Sequence, residues 1–517
     1  GKDAFGRAGH LAVVRAPRSL SRIIQLPERA SGGEHDFVFL SAVLSAFVDE
    51  LFPGMEVKGA YQFRVTRNSE LIVDEEEVEN LALALRDELI GRGYLRAMRL
   101  EIAADCPKPI VRTLLQNFEL PENAVYRIQG PVNLNRAAQI YDMVQRPDLK
   151  FPPYHPRQLP EVETIFDTVA AGDILLHHPY QSFAPVTEFL RQAATDPHVL
   201  TIKQTLYRTG ADSAIVQSLV DAARGGKEVT VVIELRARFD EEANIELAHD
   251  LEEAGAHVVY GVVGHKTHAK MSLVLRREGR MLRSYTHLGT GNYHARNARL
   301  YTDFGLLTCD AAIGRDVRTV FQQLTSLGRP GRLKHLLQSP FTLHATLLKW
   351  IGRETDRAKQ GRPAHIIAKM NALLEPQIIR ALYKASQAGV KIDLIVRGPC
   401  ALRPGIAGLS EHIRVRSIIG RFLEHSRIFY FLNDGDDRVF LSSADWMDRN
   451  FFRRIEVAFP VLDKTLRQRV IDEGLRPYLE DNTHAWILHR DGTYRRQTPG
   501  RRAARSSQQW LMNKLVT

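Results

Sequence analysis

Two histidines stand in matching local settings. His268 is followed by Ala269 and Lys270 and, after a strand-like run, by Gly289, Thr290, Gly291 and Asn292; His425 is followed by Ser426 and Arg427, then by Ser442, Ser443, Ala444 and Asp445. A neutral imidazole nitrogen can attack phosphorus, a neighbouring cation can neutralise phosphate oxygens, and small residues let the backbone come close to them. One such tripeptide is weak evidence, because a histidine beside a lysine at a strand end is usually a surface or packing feature. Two of them in register point to one phosphoryl-transfer site that needs both.

The elements around them repeat in the same order. In the first copy a strand over His198–Lys203, a helix over Ser213–Arg224 closed by Gly225 and Gly226, and a strand over Glu228–Leu235 lead to a strand over Val258–Val263, then Gly264 and His268. In the second, Ala364–Lys369, Pro376–Ala388 with Gly389, and Lys391–Val396 lead to Val415–Ile419, Gly420 and His425. This alternation predicts two similar α/β domains with mainly parallel sheets and the active site between them. Ahead of them, residues 1–155 read as an α+β head domain, with helical patterning in Phe37–Leu51 and Glu75–Gly91 and strand patterning in Ala60–Arg67 and Arg96–Ala103. A Pro-rich stretch from Phe151 to Pro160 resists both helix and sheet and marks the boundary. The predicted domains are therefore 1–155, 156–335 and 336–517, the last ending in a hairpin over Trp486–Arg496, turning at Asp491 and Gly492, and a helix.

The 70 Lys and Arg against 60 Asp and Glu give a formal charge of +10, so the molecule attracts polyanions. Charge alone leaves polyphosphate, nucleic acid, anionic lipid and simple solubility open, and the Arg501, Arg502 and Arg505 cluster reads as a solvated surface. No apolar run approaches the ~18 residues that span a bilayer. Cys106, Cys309 and Cys400 are too few and too scattered for a disulfide framework or a CxxC metal site, and a reducing, cytoplasmic compartment is expected. The chain begins at Gly1 without an initiator Met or a secretory-signal layout and reads as a piece of something longer.

The paired histidine elements resemble the phospholipase D superfamily, in which each half contributes one such element and the histidines face each other across a phosphoryl group. The acid usual in that superfamily five residues after the cation is replaced by Leu275 and Leu432. Longer strings resemble polyphosphate kinase of the first type: HHPYQSF from His177, IKQTLYRTG from Ile202, ELRARFDEEANI from Glu234, GHKTHAKMSLV from Gly264, HLGTGNYH from His287, and HSRIFYFLNDG and SSADWMDRN from His425 onward. The resemblance extends from FRVTRN near Arg64 to the AWIL and DGTY hairpin. It implies reversible transfer of the ATP γ-phosphate to the end of inorganic polyphosphate through a phosphohistidine at His268. It further implies His425 as the facing histidine on nucleotide phosphate, Tyr301 and Arg397 as ATP contacts, and Arg208 and Arg238 as the pair associated with Mg²⁺. Guanidinium has no lone pair to give a metal, so that pair is expected to act through phosphate oxygens. Lys270 and Arg427 are expected to hold the transferring phosphoryl group with them. ATP or ADP, Mg²⁺ and polyphosphate are thus the implied ligands, with a homo-oligomer, no nucleic-acid partner, and a cytoplasmic location that allows peripheral membrane association. The family's N-terminal helical domain, which supplies a further ATP contact, has no counterpart ahead of Gly1 in this sequence.

A phospholipase D-type phosphodiesterase or phosphatidyl transferase is the alternative, and it would normally keep the acids that Leu275 and Leu432 replace. A non-enzymatic polyanion binder would leave the paired histidines unexplained. His177, His178, His287 and His294 read first as packing or structural residues.

Overall fold

The computed structural model describes residues 11–17, 19–67, 97–158, 164–207, 213–235, 241–262, 264–325 and 331–516. The expected helix over Glu75–Gly91 lies outside them. The described residues divide into two units, one ending at Pro153 and one beginning at Tyr154.

In the first unit, β1 (Ile23–Gln25) pairs antiparallel with β2 (Phe37–Phe39). The helix expected from Phe37 therefore starts later, at Leu40–Ala46, because the Phe-Val-Phe run suits a strand and finds a partner. A three-stranded sheet follows, with β3 (Phe63–Arg67) antiparallel to β4 (Ala97–Ala103) and β5 (Val125–Ile128) parallel to it. The helix Lys108–Asn117 opens after Pro107 and packs Val111, Leu114 and Leu115 in one core with Leu100 and Ile102 of β4.

The second unit holds two sheets built to one plan. The first contains β6 (Ile174–His178), β7 (Val199–Leu206), β8 (Glu228–Ile233), β9 (His257–Val259), β11 (Lys270–Glu278), β12 (Met281–Gly289) and β13 (Tyr301–Thr308), with β10 (Lys266–Thr267) standing apart. Its order is β6-β13-β12-β11-β7-β8-β9. The second contains β14 (Leu337–Ser339), β15 (His365–Met370), β16 (Lys391–Val396), β17 (Ile413–Ile418), β19 (Arg427–Phe431), β20 (Arg438–Ser442) and β21 (Arg454–Pro460), with β18 (Leu423–Glu424) apart. Its order, β14-β21-β20-β19-β15-β16-β17, repeats the first and is extended by the hairpin β22 (Ala485–Leu488) and β23 (Tyr494–Arg496).

These sheets correct the expectation of mainly parallel strands. Only β7-β8-β9 and β15-β16-β17 are parallel; β11, β12 and β13, like β19, β20 and β21, run antiparallel. The reason is connection length. The helices Ala214–Arg224 and Pro376–Gln387 give the early strands a crossover, whereas β11 meets β12 across Gly279 alone with its neighbours, a tight turn that needs the glycine's φ of +60°.

The short strands that carry the chain into each histidine are exchanged. β10, just before His268, pairs parallel with β21 of the second sheet, while β18, just before His425, pairs parallel with β13 of the first. One core joins the two: Phe304, Leu306, Ile428 and Phe459 are all buried in it. The helix Lys464–Gly474 lies so close that a Cβ on Gly474 would sit 2.4 Å from Ile428 and 3.1 Å from Phe304. Each such fully buried side chain contributes about 1.5–3 kcal/mol, so the junction is as much a core as either half.

Candidate active site

The strand exchange brings each histidine beside a carboxylate of the other half. Lys266 and Thr267 run alongside Arg454 and Ile455, so the next residues, His268 and Glu456, meet, and Nδ1 of His268 donates to Glu456 at 2.8 Å. Leu423 and Glu424 run alongside Tyr301 and Thr302, so His425 meets Asp303, with Nδ1 2.9 Å from both oxygens. A carboxylate at Nδ1 fixes the proton there and leaves Nε2 of each ring with its lone pair.

Both carboxylates are held in turn by the small-residue turns. Thr290 donates to Asp303 at 2.6 Å and Ser443 to Glu456 at 2.5 Å; Asn450 holds the other oxygen of Glu456. The glycine beside Thr290 is spatially required, since a Cβ on Gly291 would sit 2.2 Å from the Asp303 carboxylate. The room that glycine provides is therefore taken by Asp303. Glu456 and Asp303, which bond the two rings, were not singled out from the sequence. A signal existed: Thr290 to Asp303 and Ser443 to Glu456 are the same distance apart in the chain.

The cations are arranged unequally. Arg427 is buried and fork-bonded to Asp445, at 3.2 and 3.0 Å, which aims its remaining nitrogen at Nε2 of His425 and at the Thr290 carbonyl, both at 3.2 Å. Lys270 has no such carboxylate fork; its ammonium donates to the His268 carbonyl. Arg397 donates to the Glu424 carbonyl at 3.0 Å, and the Tyr301 ring lies 5.3 Å from that of His425. Arg449 and Arg454, not singled out from the sequence, also act electrostatically on the cluster around His268 and Glu456. Arg208 and Arg238 lie outside the described residues.

Burial, then the charges of Lys270, Arg454 and Arg427, hold the His268 imidazole well below its ordinary range. Burial likewise lowers His425, with Asp303 opposing. Burial alone would raise Asp303 and Asp445, but His425 and Arg427 respectively hold them below the usual carboxylate range. Burial also lowers Lys270 well below the ordinary lysine range. Two neutral imidazoles in a cationic setting suit nucleophilic attack on an anionic phosphoryl group. Because Lys270 depresses His268, removing its charge raises the His268 pKa. Lys270→Met is expected to move the acid limb of phosphoenzyme formation to higher pH while slowing the step by roughly 10²-fold, measured as the rate of labelling against pH.

The other histidines noted in the sequence bond their neighbours, and His178 and His287 line a cavity with Tyr301, Asp303 and His425. His177 is buried and stacked on Phe304 at 4.0 Å, with Glu473 3.3 Å from its Nδ1. His178 donates to the Gln181 carbonyl, His287 bonds Tyr293, and His294 caps the short helix Ala295–Ala298. Among the described residues no group of three or more His, Cys, Asp or Glu side chains could hold a metal ion. No helix among them is long and apolar enough to cross a membrane.

Models of the polyphosphate kinase middle domain, C-terminal domain 1 and C-terminal domain 2 match residues 1–140, 164–330 and 336–508. Polyphosphate kinase of Xylella fastidiosa is 66% identical over 500 residues, 96% of this chain and 72% of its own length. That of Pseudomonas aeruginosa is 57% identical over 520 residues, covering 100% of this chain and 75% of the relative. The crystal structure of polyphosphate kinase from Porphyromonas gingivalis superposes with a TM-score of 0.80 at 32% identity, over 96% of this chain and 73% of that one. With the duplicated sheets, the exchanged strands and the two carboxylate-bonded histidines in place, these matches make the chain a member of the polyphosphate kinase family.

Proposed function

We propose that His268 is the residue phosphorylated in this polyphosphate kinase and that His425 faces it across the transferring group. The enzyme moves the ATP γ-phosphate reversibly to the end of inorganic polyphosphate through a phosphohistidine. In the first step Nε2 of His268 forms a bond to the γ-phosphorus as the bond to the β-γ bridging oxygen breaks, and ADP leaves. In the second, a terminal oxygen of polyphosphate attacks the same phosphorus and the N–P bond breaks. Glu456 holds the Nδ1 proton throughout and stabilises the ring as positive charge develops on it. His425 takes up or returns a proton at the bridging or attacking oxygen. Arg427, Lys270, Arg397, Arg449 and Arg454 offset the charge spread over the phosphoryl oxygens, where in-line transfer needs it. Tyr301 and Arg397 serve the nucleotide.

What carries this reading is that both rings bond a carboxylate through Nδ1, leaving two Nε2 lone pairs in one cationic site. The carboxylates Asp303, Asp445 and Glu456 are all engaged by histidine, arginine or hydroxyl partners, so they do not form a resident Mg²⁺ site. Mg²⁺ held on the ATP phosphates would offset their charge. Arg208 and Arg238 belong to the same proposal, acting on the phosphate oxygens that carry the ion. The three domains are assigned as 1–155, 156–335 and 336–517. The reading also includes a homo-oligomer in the cytoplasm, free or peripheral to the membrane, without a nucleic-acid partner.

The test is a pulse of γ-labelled ATP with Mg²⁺, with and without polyphosphate. Acid-labile, base-stable label on the protein that chases into polyphosphate supports the assignment. Label at a site other than His268 refutes it.

A further inference from the structure

The segment that delivers His425 is held by side chains from distant parts of the chain, and one comes from the C-terminal helix Ser507–Val516. Gln508 is 3% exposed. Its carbonyl accepts from the Phe422 N–H at 2.9 Å, while its amide donates to the Phe422 carbonyl at 2.9 Å and to Glu424 at 2.6 Å. The side-chain amide thus pairs with the backbone of residue 422 as a neighbouring strand would, three residues before His425. Glu424 passes the constraint on: its other oxygen accepts from Thr302 at 2.9 Å and is ion-paired with the buried Lys369 ammonium at 2.7 Å. The Glu424 carbonyl holds Arg397, and the His425 N–H donates to Thr302 at 3.1 Å.

The helix is itself anchored. Asp481 accepts from the Ser507 N–H and hydroxyl at 2.7 and 2.8 Å, and Leu511, Met512 and Leu515 lie in the core that joins the two sheets. On the His268 arm β10 pairs with β21 and the Thr267 N–H donates to Glu234 at 2.7 Å.

We propose that Gln508 is a positioning residue for His425, through which the C-terminal helix sets the second imidazole against the phosphoryl group. The proposal rests on His425 taking part in transfer, and a double-mutant cycle separates the two claims. Gln508→Met keeps the length and apolar stem of the side chain and removes all three hydrogen bonds. Gly420→Ala disturbs the clamp from the other side, since its Cβ would sit 2.5 Å from the Gln508 carbonyl oxygen at a backbone conformation alanine tolerates. Trp510→Ala, at a side chain 45% exposed on the same helix, is the control.

Each clamp variant is expected to slow steady-state transfer roughly 10–100-fold, the usual range for a group that orients a functional side chain, with Trp510→Ala unchanged. In a His425→Ala background, itself slow, each should cost less than about 2-fold, because the group they position is gone. Equal losses in both backgrounds, or no loss from either variant in the native background, would overturn the role of Gln508. A His425→Ala enzyme as fast as the native one would instead overturn the participation of His425. Gly420→Ala keeps the test open if Gln508→Met fails to fold.

Discussion

His268→Ala is expected to accumulate no acid-labile phosphoenzyme, and its transfer rate to fall on the order of 10⁵–10⁶-fold, as when an enzyme loses its nucleophile. His268 presents an unprotonated Nε2 because its Nδ1–H donates to Glu456 and because burial with Lys270, Arg454 and Arg427 suppresses the second protonation. His425 is also neutral, but its Nε2 already receives a hydrogen bond from Arg427 at 3.2 Å, so it is less free to attack. His425→Ala should therefore still take label from ATP, slowly, and be deficient mainly in passing it on. Gel-resolved labelling with γ-labelled ATP, read beside the rate of polyphosphate synthesis, distinguishes the two. Persistent label in His268→Ala would move the nucleophile elsewhere.

Glu456→Gln is expected to cost roughly 10²–10⁴-fold in phosphoenzyme formation while leaving the protein folded. A glutamine amide can present N–H rather than oxygen to Nδ1, so Nδ1 must then accept, the ring proton moves to Nε2, and the attacking lone pair is lost. Ser443 and Asn450 remain to hold the replacement in place. Burial already raises the Glu456 carboxyl, so neutralising it removes a desolvation cost and the melting temperature should hold or rise. A large kinetic loss without a thermal loss is the signature to look for; parallel losses would reduce Glu456 to a structural residue.

The sequence contained the local facts of this molecule and few of the long-range ones. The strands at Glu228–Ile233 and Lys391–Val396 and the helices at Ala214–Arg224 and Pro376–Gln387 stand within a residue or two of their sequence patterns, because apolar period and closing glycines are properties of one segment. Pairing is a property of two. The antiparallel course of β11 to β13 depends on which neighbour each strand finds, and alternation of elements alone suggested parallel sheets. For the same reason the histidines and their cations could be found as tripeptides, whereas the partners of His268 and His425 lie 188 and 122 residues away. Tyr301 drew attention as a nucleotide contact while Asp303, two residues on, did not. Each ring takes its carboxylate from the other half, which no single segment could reveal.

The exchange of β10 and β18 between the sheets has a bearing on how the enzyme is made. A ribosome builds His268 long before Glu456 and Asp303 long before His425, so neither histidine–carboxylate pair can close within a half-finished chain.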